Sequence, residues 1–97
     1  TKYGIYSIAG KDSMTKEEFM TVHGGYDRAF VTENPNLVVP LDVLREMEKE
    51  GKIGELAPYF ITTTGTGTSV GNAKGFGESF VKKLLDDKIG AVILTST

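Results

Sequence analysis

Residues 59–94 read YFITTTGTGTSVGNAKGFGESFVKKLLDDKIGAVIL, and this stretch decides the fold prediction. Its first six residues are rich in β-branched and aromatic side chains, which is typical of a strand. Apolar residues then recur at helical spacing over about 70–88, and Thr68 or Ser69 is a suitable N-cap for that helix. The continuous apolar run at 91–94 indicates a strand that is covered on both faces. Strand, helix and strand together predict a parallel βαβ unit with a right-handed crossover.

The first half of the chain contains signals for a strand, a helix and two loops. Residues 3–8 are rich in aromatic and β-branched side chains and predict a strand. A helix is expected to begin at Pro40, which a first helical turn tolerates, and to stop at Gly51. Residues 21–27 contain adjacent glycines and residues 32–36 contain Asn-Pro-Asn, so both segments predict loops.

Two finer features concern helix ends and helix packing. Ser13 or Thr15 is expected to cap a short helical turn that runs to Met20, since Thr15 precedes a glutamate at capping-box spacing. Gly71 and Gly75 lie on one face of the long helix and are expected to let it approach a sheet closely, while its apolar stripe enters the core. We therefore predict a single α/β domain over residues 1–97, with an open, mostly parallel sheet of Rossmann-like or flavodoxin-like βαβ units that is incomplete at its C-terminus.

Composition narrows the class of function. The 97 residues carry a net charge of -2 and no basic stripe, which argues against a nucleic-acid backbone or an anionic membrane as the main partner. No cysteine is present, so these residues supply no disulfide, thiolate zinc site or cysteine nucleophile. One histidine and scattered carboxylates do not form a metal-ligand pattern, and no apolar run has the length of a membrane span. A cytoplasmic location fits these features.

The predicted parallel sheet places its ligand site at one edge. In open parallel sheets ligands bind outside the carboxyl ends of the strands, here after Thr64 and Thr95. Loop 65–69 precedes a helix and is suited to an anion such as a substrate carboxylate, although an ordinary strand-to-helix turn has the same composition. Its glycine spacing misses the dinucleotide-binding pattern by one residue. The candidate substrate-binding residues are Thr64, Gly65, Thr66, Gly67, Thr68, Ser69, Thr95, Ser96 and Thr97.

Four segments of the sequence resemble a known family. They are VHGGYD at 22–27, ENPNLVVPLDVLR at 33–45, TGTGTS at 64–69 and AVILTST at 91–97. In this order they resemble the selenoprotein subunit of protein B of the glycine, sarcosine and betaine reductases. The D-proline reductase selenoprotein is similar more distantly, over the HGGYD sequence and the last segment. The resemblance covers nearly the whole chain.

The resemblance implies a selenium-dependent reductase. In that family selenocysteine and then Gly-Thr-Cys follow the position of Thr97, so we expect an internal fragment of a longer subunit that lacks the nucleophile and is inactive in isolation. The implied reaction is attack of the selenolate on the α-carbon of glycine, sarcosine or betaine, which displaces the amine. A second selenoprotein then takes the carboxymethyl group, and a third component forms acetyl phosphate with electrons from thioredoxin. A pyruvoyl group on a partner subunit is implied to activate the amine of glycine and sarcosine.

His23 is the candidate catalytic residue of the chain. It lies beside two glycines in a loop, where functional groups concentrate. The resemblance makes it a candidate proton donor to the leaving amine or an orienter of the selenolate; the alternative is a structural histidine bonded to a neighbouring turn. Rival interpretations of the chain are a non-enzymatic module that binds a small anion at loop 65–69 and a structural assembly domain. A half-covered sheet also predicts self-association of the isolated chain.

Overall fold

An antiparallel pair of strands joins the two halves of the chain. The computed structural model describes residues 2–22, 26–64 and 68–96. Its elements in chain order are β1 (Lys2–Ser7), α1 (Ala29–Glu33), one turn of 3₁₀ helix (Pro35–Leu37), α2 (Leu41–Lys49), β2 (Tyr59–Thr64) and α3 (Val70–Asp86). Within these described ranges, each helix is too short or too polar to cross a lipid bilayer.

The two strands are paired along their whole length. Lys2 lies opposite Thr64, and the antiparallel register continues to Ser7 opposite Tyr59. Both strands are rich in the aromatic and β-branched residues that fit a pleated, half-buried surface. Because successive side chains alternate between the two faces, each face of this small sheet is covered by a different part of the chain.

The helix α3 covers the face of the sheet that carries Tyr3 and Tyr59. The ring of Tyr3 makes edge contacts with Phe76 and Phe80, at centroid distances of 5.4 and 4.9 Å. T-shaped pairs of this kind are a favourable aromatic geometry. At the other end of the sheet, the hydroxyl of Tyr59 donates a hydrogen bond to Asp87 at 2.7 Å. These contacts fix α3 to the sheet at both of its ends.

A small apolar core covers the opposite face of the sheet. Ile8, Met14 and Leu41 are buried together, and Phe60 of β2 packs against them. Leu41, the first residue of α2, is fully shielded from solvent. The ring of Tyr6 stacks on Phe60 at a centroid distance of 5.6 Å. The sheet therefore lies between α3 on one side and the core at the start of α2 on the other.

Gly4 is explained by the position of the Tyr6 side chain. A Cβ atom at residue 4 would lie 2.9 Å from Cε2 of Tyr6, which is closer than side chains tolerate. Glycine weakens a strand interior, and it often marks a place where another group approaches closely. Here the aromatic ring of Tyr6 is that group.

The elements with strong local sequence signals have nearly the bounds that the sequence predicts. β2 covers the predicted range 59–64, and β1 is shifted from its predicted range by one residue. Helix α2 begins after Pro40 and ends before Gly51, whose φ of 74° is in the left-handed region that favours glycine. Helix α3 begins after Ser69, whose hydroxyl accepts a hydrogen bond from the amide of Asn72 at 3.1 Å.

The predicted fold class is wrong. The two strands are antiparallel, and residues 90–96 form no strand, so the described part of the chain has neither an open parallel sheet nor a Rossmann-like βαβ unit. Val92, Ile93 and Leu94 are 55%, 63% and 89% exposed. An apolar run indicates that a segment favours burial, but it does not identify a pairing partner. The partner of β2 is β1, from the distant start of the chain.

The predicted packing of α3 is also wrong in two respects. No residue of this helix is fully buried, and Val70, Val81 and Leu85 of its apolar stripe are more than half exposed. A Cβ atom added at Gly71 or Gly75 would meet no atom of its surroundings within 4 Å, so these glycines mediate no close approach. The helix touches the sheet through aromatic rings, which hold the two backbones apart.

Two local predictions in the first half have different outcomes. Residues 32–36 were expected to be a loop, whereas they include the end of α1 and the start of the 3₁₀ turn. The short helical turn expected after Thr15 is present as a single turn, in which the amides of Glu18 and Phe19 donate to the Thr15 carbonyl at 3.1 and 3.0 Å. The Thr15 hydroxyl donates to the carboxylate of Glu18 at 2.9 Å, and this side-chain bond replaces the reciprocal backbone bonds of a capping box.

Candidate functional site

The predicted substrate loop is described at its two ends. Thr64 is the last residue of β2, and residues 65–67, with Gly65, Thr66 and Gly67, lie outside the described residues. Ser69 uses its hydroxyl to cap α3, and Thr68 is exposed beside it. The capping role of Ser69 is therefore confirmed, while the binding role of the loop stays a prediction.

The predicted second half of the site is the segment that contains Thr95 and Ser96. Both residues are exposed in a segment without regular structure, and Thr97 lies outside the described residues. The crevice between residues 64–69 and 95–97 was expected because two parallel strands would end at one edge. That argument is wrong, because β2 pairs antiparallel with β1 and residues 91–96 are not a strand. A role for these residues in substrate binding stays a prediction.

The described end of segment 22–27 lies at a cavity. His23 and the two glycines after it lie outside the described residues, but Tyr26 and Asp27 are described. They line a cavity of about 620 Å³. Its other lining residues are Met20, Thr21, Arg28, Ala29 and Thr32.

Two hydrogen bonds organise the wall of this cavity. Asp27 Oδ1 accepts from the amide of Ala29 at 3.0 Å, which holds the carboxylate at the start of α1. Arg28 Nη1 donates to the carbonyl of Thr21 across the cavity at 3.4 Å. Sequence reasoning named His23 in this region and missed the opposite charges of Asp27 and Arg28. The available signal was that Asp27 ends the HGGYD sequence and Arg28 follows it directly.

Asn36, in the segment 33–45, has a structural role that the sequence did not indicate. Its side chain is buried, and its Oδ1 accepts from the amide of Met14 at 2.9 Å and more weakly from Asp42 at 3.3 Å. Its Nδ2 donates to the carbonyl of Met14 at 3.0 Å and to Ser13 Oγ at 2.9 Å. One amide side chain therefore connects the loop after β1 to the start of α2.

Arg45 makes a second connection between the same two regions. Its Nε donates to the carbonyl of Lys11 at 2.7 Å, and its Nη2 donates to the carbonyl of Ile8 at 2.9 Å. Nη1 pairs with Glu48 at 3.2 Å. A hydrogen bond from the amide of Leu56 to Glu48, together with Arg45, lowers the pKa of this carboxyl below its ordinary value. The segment 33–45 therefore serves as scaffold in the described structure.

A third polar cluster connects the sheet to the end of α3. Asp87 accepts from the hydroxyl of Tyr59 at 2.7 Å and pairs with Lys83 at 3.1 Å. The hydrogen bond from Tyr59, and then that from Lys83, lowers the pKa of Asp87, and the same bond raises the pKa of Tyr59. The ammonium of Lys83 also lies 4.5 Å from the centre of the Tyr59 ring, within cation–π distance. This cluster fixes the C-terminal end of α3 to the sheet.

The comparisons with known proteins identify the class and then the family. A family model described as glycine/sarcosine/betaine reductase selenoprotein B matches residues 1–97. The class is therefore a selenoprotein component of reductases. The chain belongs to the glycine/sarcosine/betaine reductase selenoprotein B family.

Individual relatives agree with the family. Over all 97 residues the chain is 72% identical to the sarcosine reductase complex component B subunit beta of Peptoclostridium acidaminophilum. It is 54% identical to the glycine reductase complex component B subunit gamma of the same organism. The chain spans 22% of the length of each of these relatives. The D-proline reductase subunit gamma of Acetoanaerobium sticklandii is 36% identical over 83 residues, which are 81% of this chain and 33% of that subunit.

These findings confirm the resemblance that the four sequence segments indicated, including the more distant similarity to D-proline reductase. No solved structure matches the chain with significance.

Proposed function

We propose that this chain is part of a selenocysteine-dependent reductase subunit that cleaves the C–N bond of glycine, sarcosine or betaine. The observation that carries the proposal is the 72% identity, over all 97 residues, to a subunit named for sarcosine reductase. Sarcosine is therefore the substrate to test first. The proposal places the chain in a cytoplasmic complex with other reductase subunits.

The chemistry requires a strong nucleophile that these 97 residues do not contain, because they include no cysteine. In the full-length subunit, selenocysteine after residue 97 supplies a selenolate. A selenol is ionised at neutral pH, whereas a thiol of pKa about 8.5 is mostly protonated there. Attack of the selenolate on the α-carbon forms a C–Se bond as the C–N bond breaks. The amine leaves with the electron pair of the C–N bond and takes up a proton. The two electrons that complete the reduction come from a thioredoxin dithiol, and phosphate is incorporated into acetyl phosphate by a partner component.

The residues of this chain are assigned supporting roles in the proposal. Thr95 and Ser96 precede the nucleophile, and their hydroxyl groups favour an anion by hydrogen bonding. Because the described segment 91–96 is exposed, a partner subunit that carries a pyruvoyl group has access to it. Loop 64–69 holds the substrate carboxylate, and His23 protonates the leaving amine. The isolated chain is inactive in this proposal because it lacks the nucleophile.

The test is amine release by the full complex. The full-length subunit is produced with its partner subunits in a host that reads UGA as selenocysteine, with radioactive selenium to establish incorporation. We expect methylamine from sarcosine, ammonia from glycine or trimethylamine from betaine, and no release when alanine replaces the selenocysteine. His23→Ala should lower the rate. A selenium-containing complex that releases amine from none of the three substrates would refute the proposed function.

Self-association is a separate consequence of the exposed apolar surface. Val92, Ile93 and Leu94 are exposed in succession along the chain, and three apolar residues of α3, Val70, Val81 and Leu85, are exposed as well. Large exposed apolar surfaces are typical of interaction sites. We expect the isolated 97-residue chain to form oligomers as its concentration rises in sedimentation velocity experiments. A strictly monomeric state at high concentration would contradict this expectation.

A further inference from the structure

The cavity beside α1 is an open cleft with exposed charged residues, and its volume is that of a small-molecule site. Its volume of about 620 Å³ lies within the range of roughly 300–1,000 Å³ that ligand pockets occupy. One wall is the segment that ends at Thr21, and the other is the first turn of α1 with the residues just before it. Side chains of both charge signs line it.

Arg28 supplies the positive charge of the cavity. Its weak bond to the carbonyl of Thr21 uses one N–H of a guanidinium that has five. The remaining donors keep the planar fork that matches a carboxylate with two parallel hydrogen bonds. Within the described residues, Arg28 forms no ion pair. The side chain is therefore oriented at the cavity, and its charge is not neutralised there.

Asp27 supplies the negative charge. Its Oδ1 is held by the amide of Ala29, and Oδ2 takes no part in that bond. Across the ranges that the structure describes, Asp27 has no ion pair either, although it is the immediate neighbour of Arg28 in sequence. The cavity therefore holds one charge of each sign, each without an ionic partner.

A ligand that carries both charges satisfies both groups at once. We propose that this cavity is a substrate subsite for a small zwitterion, in which Arg28 binds the carboxylate and Asp27 faces the ammonium group. A simple anion would be repelled by Asp27 and a simple cation by Arg28. The inference rests on the proposed function for the identity of the substrate, and it offers Arg28 as the alternative to loop 64–69 for binding the substrate carboxylate.

The test is isothermal titration calorimetry on the full-length subunit. Sarcosine, glycine and betaine serve as zwitterions, acetate as the carboxylate alone and methylammonium as the cation alone. Arg28→Gln should raise the dissociation constants of sarcosine and acetate by about tenfold or more, which is the effect expected from the loss of one charge-assisted hydrogen bond. Asp27→Asn keeps the oxygen that accepts from the amide of Ala29. It should weaken the binding of sarcosine and of methylammonium, and it should leave the binding of acetate unchanged or make it tighter.

Two further variants separate charge, geometry and folding. Arg28→Lys keeps the positive charge but loses the planar guanidinium fork. Its dissociation constant for sarcosine should lie between those of Arg28→Gln and the unaltered subunit. Lys74→Gln removes an exposed positive charge on α3 and should leave every dissociation constant unchanged. Circular dichroism of each variant establishes that α1 and its surroundings are folded.

Two outcomes would overturn the subsite. One is that Arg28→Gln and Asp27→Asn bind sarcosine within about twofold of Lys74→Gln, and the other is that the unaltered subunit binds no zwitterion. Calorimetry requires no turnover, so it separates this inference from the proposed function. Unchanged dissociation constants with normal amine release refute the subsite alone. Normal zwitterion binding without any amine release refutes the proposed function alone.

Discussion

Asn36→Ala should destabilise the region where the loop after β1 meets the start of α2. The substitution removes the partners of the amide and the carbonyl of Met14, at 2.9 and 3.0 Å. Met14 is only 4% exposed, so water does not readily replace them. Each stranded buried group costs about 1–2 kcal/mol, which gives about 2–4 kcal/mol for the pair. The longer bond to Asp42 is left out of this estimate because its 3.3 Å length makes it weak.

The assay is amide hydrogen exchange of the full-length subunit, read on peptides that contain Met14 and the first turn of α2. A loss of about 2 kcal/mol in the free energy of local opening, the lower end of the estimate, raises the exchange rate of the Met14 amide by about thirtyfold at room temperature. Asn72→Ala is the matched control, because Asn72 is exposed on α3. Equal exchange at Met14 in the two variants would refute the assignment of Asn36 as the connection between these segments.

Three further predictions concern the other packing contacts. Arg45→Ala should lower the free energy of unfolding, measured in denaturant titrations, by about 2–3 kcal/mol, because two backbone carbonyls lose their hydrogen-bond donors. Arg45→Lys should recover less than half of this lost free energy. The folded state holds the pKa of Asp87 below its ordinary value of 3.8, so this carboxylate stabilises the fold above that pH and the contribution is lost as the pH falls through the folded pKa. Tyr59→Phe removes the larger cause of that shift, and its thermal midpoint should therefore fall less on acidification than that of the unaltered protein; an equal acid dependence would contradict the assignment. Gly4→Ala brings a Cβ to 2.9 Å from Cε2 of Tyr6, a half-exposed ring whose far end then has to shift. Gly4→Ala and Tyr6→Ala should therefore couple by about 0.5 kcal/mol or more in a double-mutant cycle of unfolding free energies, and additive effects would contradict this contact.

The parts of the fold that the sequence predicted are those with local causes. Pro40 at the start of α2 and Gly51 after its end act through their own backbone conformations. Ser69 caps α3 through an amide three residues away. The β-branched and aromatic content of residues 59–64 is likewise a property of that segment alone. Such signals do not depend on what the rest of the chain does.

The parts that the sequence did not predict depend on distant partners. The direction of pairing in the sheet is set by β1, which no periodicity in residues 59–94 reveals. Asparagine is a residue type that is common in turns, so the sequence around Asn36 predicts a loop. Its buried structural role depends on the hydrogen bond with Met14, which lies 22 positions earlier. The opposite charges of Asp27 and Arg28 were not predicted as a site, because the cavity that they line forms only when Met20 and Thr21 lie beside the start of α1. His23 itself lies outside the described residues, so its role stays a prediction.

The antiparallel pairing of β1 with β2 also affects synthesis of the protein. β1 leaves the ribosome first, and its partner follows about fifty residues later, which takes several seconds at about 5–20 residues per second. During that interval α2 and its contacts can form, while Tyr3, Ile5 and Tyr6 remain on a strand without a neighbour. An unpaired apolar strand edge is a template for intermolecular pairing. Nascent chains in which β1 has emerged and β2 has not are therefore expected to be clients of chaperones that bind extended apolar segments.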